Sequence, residues 1–149
     1  MKTVFTREDN KLYANDGMDM ALICFDKEFK TVEFAGANNP LFLVRENAIT
    51  VITGDRQPIG GRTDINAKYT NQTIDLQKND SIYIFSDGYV DQFGGPKGKK
   101  FKQKQFRNLL LSIQDKTMKE QKEIMLKRIE DWKGTEEQVD DILILGIKI

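Results

Sequence analysis

The hydrophobic pattern of this chain changes its period once, near Lys100, and that change narrows the fold more than any other feature of the sequence. Before it, apolar residues come in short alternating runs; after it, they recur at three- and four-residue spacing. A period of two belongs to half-buried strands, and a period of 3.6 to amphipathic helices. Met18 to Phe25, a charged turn over Asp26 to Lys30, and Thr31 to Gly36 with Val32 and Phe34 on one face predict a hairpin. Leu41 to Arg45 and Ala48 to Ile52, separated only by Glu46 and Asn47, predict a second tight antiparallel connection. Gly54, Pro58, Gly60 and Gly61 make Thr53 to Asp64 a loop. Lys68 to Leu76 is expected as a strand, Gln77 to Asp80 as a turn and Ser81 to Ser86 as a short strand.

A second loop over Gln92 to Lys100 leads into the helical part. Phe106, Leu109, Leu110 and Ile113 fall at i, i+3, i+4 and i+7, one face of a first helix. Thr117 to Glu120 has the T-x-x-E form of a capping box, and Met118, Met125, Ile129 and Trp132 stripe a second helix that Gly134 would stop. Ile142 to Ile147, within Val139 to Ile149, reads as a central strand because its apolar character is nearly continuous. Antiparallel strands, then two helices, then a closing strand make an α+β layered domain. A length of 149 residues suits one core. Residues 1–15 are polar and weakly patterned and read as a linker or the remnant of an upstream region, with the packed domain spanning 16–149.

Composition removes several kinds of chemistry. The 23 basic and 23 acidic side chains cancel, so no global field draws the chain to nucleic acid or to an anionic membrane. The apolar run Met20 to Phe25 is far below the roughly 20 residues of a spanning helix, and the N-terminus has no signal-like apolar core; the expected location is cytoplasmic. With no histidine there is no imidazole base and no histidine-ligated zinc. The single cysteine, Cys24, lies in Ala21-Leu-Ile-Cys-Phe25 with no arginine closely following, and is expected to be a buried core residue rather than a nucleophile.

Carboxylates at the ends of apolar segments remain: Asp16 with Asp19, Asp87 with Asp91, and Asp140 with Asp141. Taken singly, each fits a turn or a solvated strand edge as well as a ligand. Gly88 would let the backbone turn sharply so that Asp87 and Asp91 face one cavity. If the strands beside Asp87 and Asp140 are neighbours, carboxylates from distant parts of the chain converge, and such a set favours a hard cation such as Mg²⁺ or Mn²⁺. The basic tract Pro96 to Lys104 fails as a nucleotide-binding P-loop, because its glycine spacing is one short and Lys100 stands where serine or threonine is needed. Its Lys97, Lys99 and Lys100 fit either a solvated loop or a surface that steers an acidic phosphoprotein.

Four segments together resemble one family. Asp16-Gly-Met-Asp-Met-Ala-Leu22, Phe34-Ala-Gly-Ala-Asn-Asn-Pro-Leu41, Phe85-Ser-Asp-Gly-Tyr-Val-Asp-Gln-Phe-Gly-Gly95 and Asp140-Asp-Ile-Leu143 are similar, in order and spacing, to the later half of the SpoIIE-like branch of the PPM protein serine/threonine phosphatases. The resemblance implies an αββα sandwich, here partial, with two Mn²⁺ or Mg²⁺ ions at one edge that activate a water against a phosphoserine or phosphothreonine. It implies Asp87 and Asp140 as metal ligands, Asp91 as a ligand of an accessory or second metal, Gly88 as a turn or carbonyl contact, and Asp141 as a supporting or strand-end residue. It leaves the part played by Asp16 and Asp19 unassigned. The expected partners are a phosphoprotein substrate and an upstream sensory domain.

The family also carries an earlier Asp-Gly, near a Gly-His-Gly step, whose aspartate bridges both metals; a chain without histidine does not contain that step. The chain by itself is therefore expected to hold part of one metal position and to be weak or inactive alone. The alternative is a non-catalytic partial domain that associates with itself through unpaired strand edges or with another chain.

Overall fold

A computed structural model describes residues 16–61 and 63–149; the expected linker over residues 1–15 lies outside the described residues. Among the described residues eleven strands and three helices follow in chain order. The strands before the first helix are β1 (Gly17–Met18), β2 (Met20–Phe25), β3 (Thr31–Ala37), β4 (Leu41–Arg45), β5 (Ala48–Ile52), β6 (Ile59–Gly60), β7 (Gln72–Asp75) and β8 (Ser81–Phe85). Then come α1 (Gly88–Asp91), β9 (Phe93–Gly94), β10 (Lys99–Lys100), α2 (Lys102–Ser112), α3 (Met118–Lys133) and β11 (Ile144–Lys148). The class is α+β with antiparallel ladders, as the change of period predicts. Among the described residues two compact units form: one holds residues 16–41 together with Ile52–Gln77, the other Phe42–Val51 with Lys78–Ile149.

In the first unit β3 is the middle of a three-stranded sheet, antiparallel to β2 and to β7, with Phe25 opposite Val32 and Thr31 opposite Asp75. The predicted β2–β3 hairpin is closed by Asp26, whose carboxylate accepts from the Thr31 amide at 2.7 Å and the Glu28 amide at 3.1 Å. Val32 and Phe34 are buried on one face. Three expectations change here. The run Met18 to Phe25 is split at Asp19, because Gly17–Met18 pairs instead with Ile59–Gly60 inside the predicted loop. The strand expected over Lys68 to Leu76 is only Gln72–Asp75, the part that reaches β3. Cys24 is exposed, not buried: the pleat turns Leu22 and Cys24 to one side, and the continuous apolar run hides that alternation.

The second unit is built on a four-stranded sheet of order β11-β8-β4-β5. Between β4 and β5, Glu46 (φ 48°) and Asn47 (φ 60°) both take the left-handed backbone that a two-residue hairpin needs. The helical stripes pack as expected, with Phe106, Leu110, Ile113, Met125 and Ile129 in one cluster with Phe42, Val44, Tyr83 and Phe85 of the sheet. The capping box forms in full at Thr117 and Glu120, and Gly134 (φ 57°) ends α3. The closing strand departs from expectation. Among the described residues β11 is an edge strand, antiparallel to β8 alone, and it starts at Ile144, so Asp140 lies in a bend before it. The loop expected over Gln92 to Lys100 contains the β9–β10 hairpin, and α1 precedes it directly.

Candidate metal centre

Pairing of β8 with β11 places Phe85 opposite Ile144, so the residues just past the end of β8 meet those just before β11. Ser86 stitches the two segments. Its amide donates to the Leu143 carbonyl at 3.0 Å, its Oγ donates to the Asp141 carbonyl at 2.7 Å, and that Oγ accepts from the Leu143 amide at 2.9 Å. Gly88 then lies against the same segment. A Cβ there would stand 2.4 Å from the Asp141 carbonyl oxygen and 3.2 Å from that of Asp140, so no larger residue fits.

This close approach brings the Asp140 carboxyl within hydrogen-bonding reach of Asp87. Asp87 is open to solvent on one side, yet its carboxyl is pushed above the usual carboxylate range. Partial burial is the largest cause, followed by the negative charges of Asp140 and Asp91 and the hydrogen bond with Asp140. Asp140 is itself held: its Oδ1 accepts from the Asp141 amide at 2.7 Å and its carbonyl accepts from Gln138 Nε2 at 2.9 Å. Asp91 sits one helical turn after Asp87, its amide donating to the Asp87 carbonyl at 2.9 Å, and its carboxylate pairs with Lys100 Nζ at 2.6 Å.

The sequence-predicted residues thus separate by location. Asp87, Gly88, Asp91, Asp140 and Asp141 are neighbours, Asp141 through its backbone. Lys99 and Lys100 form β10, with Lys97 in the turn before it, all three exposed. Asp16 and Asp19 belong to the first unit, where Asp16 is exposed and Asp19 accepts from Asn38 Nδ2 at 2.7 Å. Two residues that hold the centre were not foreseen. Ser86 ends a predicted strand and lies within a matched motif, but the sequence assigns it no role of its own. Gln92, fully buried, donates through Nε2 to the carbonyls of Phe93 at 3.0 Å and Glu137 at 2.8 Å, and nothing in a glycine-rich loop sequence marks it.

Asp87 and Asp140 together fit a hard divalent cation, which would relieve their repulsion and take their oxygens as ligands. They supply part of a coordination shell. Among the described residues no group of three or more His, Cys, Asp or Glu side chains converges on one metal position.

The family model for stage II sporulation protein E (SpoIIE) matches residues 2–149. Among solved structures, the SiaA-PP2C domain of Pseudomonas aeruginosa aligns with a TM-score of 0.81 at 27% identity, covering 88% of this chain and 51% of that one. A structure of the PP2C phosphatase domain and a fragment of the regulatory domain of SpoIIE from Bacillus subtilis aligns at 0.72 and 16% identity, over 99% of this chain and 42% of that one. The Mycobacterium tuberculosis serine/threonine phosphatase PstP/Ppp aligns at 0.58 and 14%, over 86% and 58%. No curated protein sequence matches the chain significantly. The chain spans about half the length of the solved domains it matches. With a family match over almost its whole length and the α+β arrangement of these neighbours, the chain belongs to the SpoIIE family and has the fold of a PP2C-type phosphatase domain.

Proposed function

We propose that this chain is the C-terminal portion, over residues 16–149, of a metal-dependent protein serine/threonine phosphatase domain, and that Asp87 and Asp140 are ligands of one divalent cation. The observation that carries this reading is the meeting of those two carboxyls across the Ser86–Gly88 and Asp140–Leu143 segments. A bound Mn²⁺ or Mg²⁺ supplies Lewis acidity to the phosphoryl oxygens and to the attacking water. The chain's own residues do the positioning. Ser86 and Gly88 fix the distance between the ligand-bearing segments, the Asp141 amide orients the Asp140 carboxylate, and Asp91 adds negative charge that raises the demand for a cation. Lys100 pairs with the Asp91 carboxylate and offsets part of its charge, and Asp91 would be the residue to hold a second cation. The remaining ligands come from water and from groups beyond this pair. A phosphoprotein substrate and an upstream sensory module complete the proposed setting; the Bacillus subtilis SpoIIE structure includes a regulatory-domain fragment beside its phosphatase domain.

Titration calorimetry with Mn²⁺, paired with hydrolysis of a small aryl phosphate, tests this. Measurable Mn²⁺ binding that falls by at least about ten-fold in Asp87→Asn and Asp140→Asn is expected, since each removes one anionic ligand. Unchanged affinity in both variants would sink the assignment whether or not the chain alone turns over substrate.

One observation favours a second reading, that the unit acts as a self-association module. The edge of β11, unpaired among the described residues, runs beside an apolar groove of about 380 Å³ lined by Met118, Leu126, Ile142 and Leu145 among others, with Leu126 58% and Leu143 67% exposed. Unpaired edges and apolar faces of this kind pair with other chains.

A further inference from the structure

The stretch from Gln92 to Gln114 contains five lysines and Arg107 and no acidic residue, in a chain whose charges cancel only when taken as a whole. The structure makes its first part a rigid arm. Gly94 packs so closely on the end of α3 that a Cβ would lie 1.9 Å from the Trp132 carbonyl oxygen, and Gly95 (φ 68°) lies against the Trp132 indole. The Gly95 amide donates to the Trp132 carbonyl at 2.7 Å, and Trp132 Nε1 donates to the Gln92 carbonyl at 3.1 Å. The β9–β10 ladder pairs Gly94 with Lys99 and Phe93 with Lys100, and the Phe101 amide returns to the Gln92 carbonyl at 2.9 Å. Lys97, Lys99, Lys102 and Lys104 project exposed from this frame and from the first turn of α2, which has neither an acidic residue nor a side-chain cap to offset its positive end. Lys100 ties the arm to Asp91 and so sets it beside the Asp87–Asp140 pair.

From this arrangement we infer that the β9–β10 arm is a docking surface for phosphorylated segments flanked by acidic residues, with Lys97 and Lys99 receiving the carboxylates next to the phosphoamino acid. This deepens the phosphatase reading and rests on it for the presence of a phosphate. An anchored hairpin spares the entropy of ordering its backbone on binding, and its cations steer oppositely charged partners toward the adjacent centre. A long polyanion such as nucleic acid fits less well, because its continuous charge would run past the carboxylates of Asp87, Asp91 and Asp140.

The test is fluorescence anisotropy of the full chain with a labelled phosphoserine peptide carrying acidic residues on both sides, and with the same peptide in which those residues are amides. Tighter binding of the acidic peptide is expected, by about ten-fold at low salt and shrinking as salt rises. Lys97→Ala/Lys99→Ala should abolish most of that preference while leaving the thermal midpoint and the affinity for the amide peptide unchanged. Equal binding of the two peptides, a preference that survives the double variant, or tighter binding of a short single-stranded DNA than of the acidic peptide would each overturn the inference. Acidic-peptide preference without Mn²⁺ binding would preserve the arm and overturn the metal centre. Mn²⁺ binding with turnover but no preference would do the reverse.

Discussion

At Gly88 a single missing methyl group permits the candidate centre to exist. The backbone of Asp140 and Asp141 occupies the space where any Cβ would lie, and backbone cannot swing aside as a flexible side chain can. Gly88→Ala is therefore expected to lower stability by about 2 kcal/mol in urea unfolding. It should also weaken Mn²⁺ binding in calorimetry, because the clash pushes Asp87 away from Asp140. Gly98→Ala is the matched control. Its Cβ meets nothing, so only the left-handed backbone (φ 53°) is penalised, by about 1 kcal/mol, with Mn²⁺ affinity intact. Ser86 shows the complementary device, one hydroxyl acting as donor to Asp141 and acceptor from Leu143. The sequence around these residues announced a turn after a strand, but it carried no information about which distant segment the turn would touch.

Among the elements, the β2–β3 hairpin shows how a charged turn closes a strand pair. The Asp26 carboxyl is held below its ordinary value, chiefly by the hydrogen bond from the Thr31 amide; desolvation opposes this, and the hydrogen bond from the Glu28 amide adds to it. Because its folded pKa lies below the unfolded one, the folded chain binds fewer protons over that interval. The contribution is present above roughly pH 4, the ordinary aspartate range, and is lost as pH falls through the lowered value. Asp26→Asn should accordingly lower the thermal midpoint at pH 7, and the gap to the parent should narrow progressively as the pH falls below the ordinary aspartate range. A gap that stays constant with pH would mean that the carboxylate charge does not support the turn. In α3 the capping box was legible from Thr117 and Glu120, since a cap is made by residues three apart on the same chain segment. The β9–β10 hairpin was not legible, because Gly94 and Gly95 are placed by their contact with Trp132.

For the whole molecule, the decisive feature is that β11 has a partner on one side only among the described residues. Its sequence has the two-sided apolar character of a buried strand, yet Leu145 is 46% exposed and Leu143, just before it, more so. A chain that covers about half of the solved domains it resembles is expected to associate through this edge. Sedimentation velocity should show concentration-dependent association that Leu143→Glu/Leu145→Glu removes, and association unaffected by that variant would exclude the edge as the surface. The sequence by itself determined the α+β class, the order of the longer strands and of α2 and α3, the apolar stripes of those two helices and the tight β4–β5 turn. All of these arise from neighbours within a few residues, whose period and backbone preferences act locally. Tertiary structure decided that Asp87 meets Asp140, that Asp91 pairs with Lys100 and the basic hairpin seats on Trp132, that Cys24 faces outward, and that β11 lies at an edge among the described residues. Each of those depends on register and packing between segments far apart in the chain, and no local period encodes which partner a strand end will find.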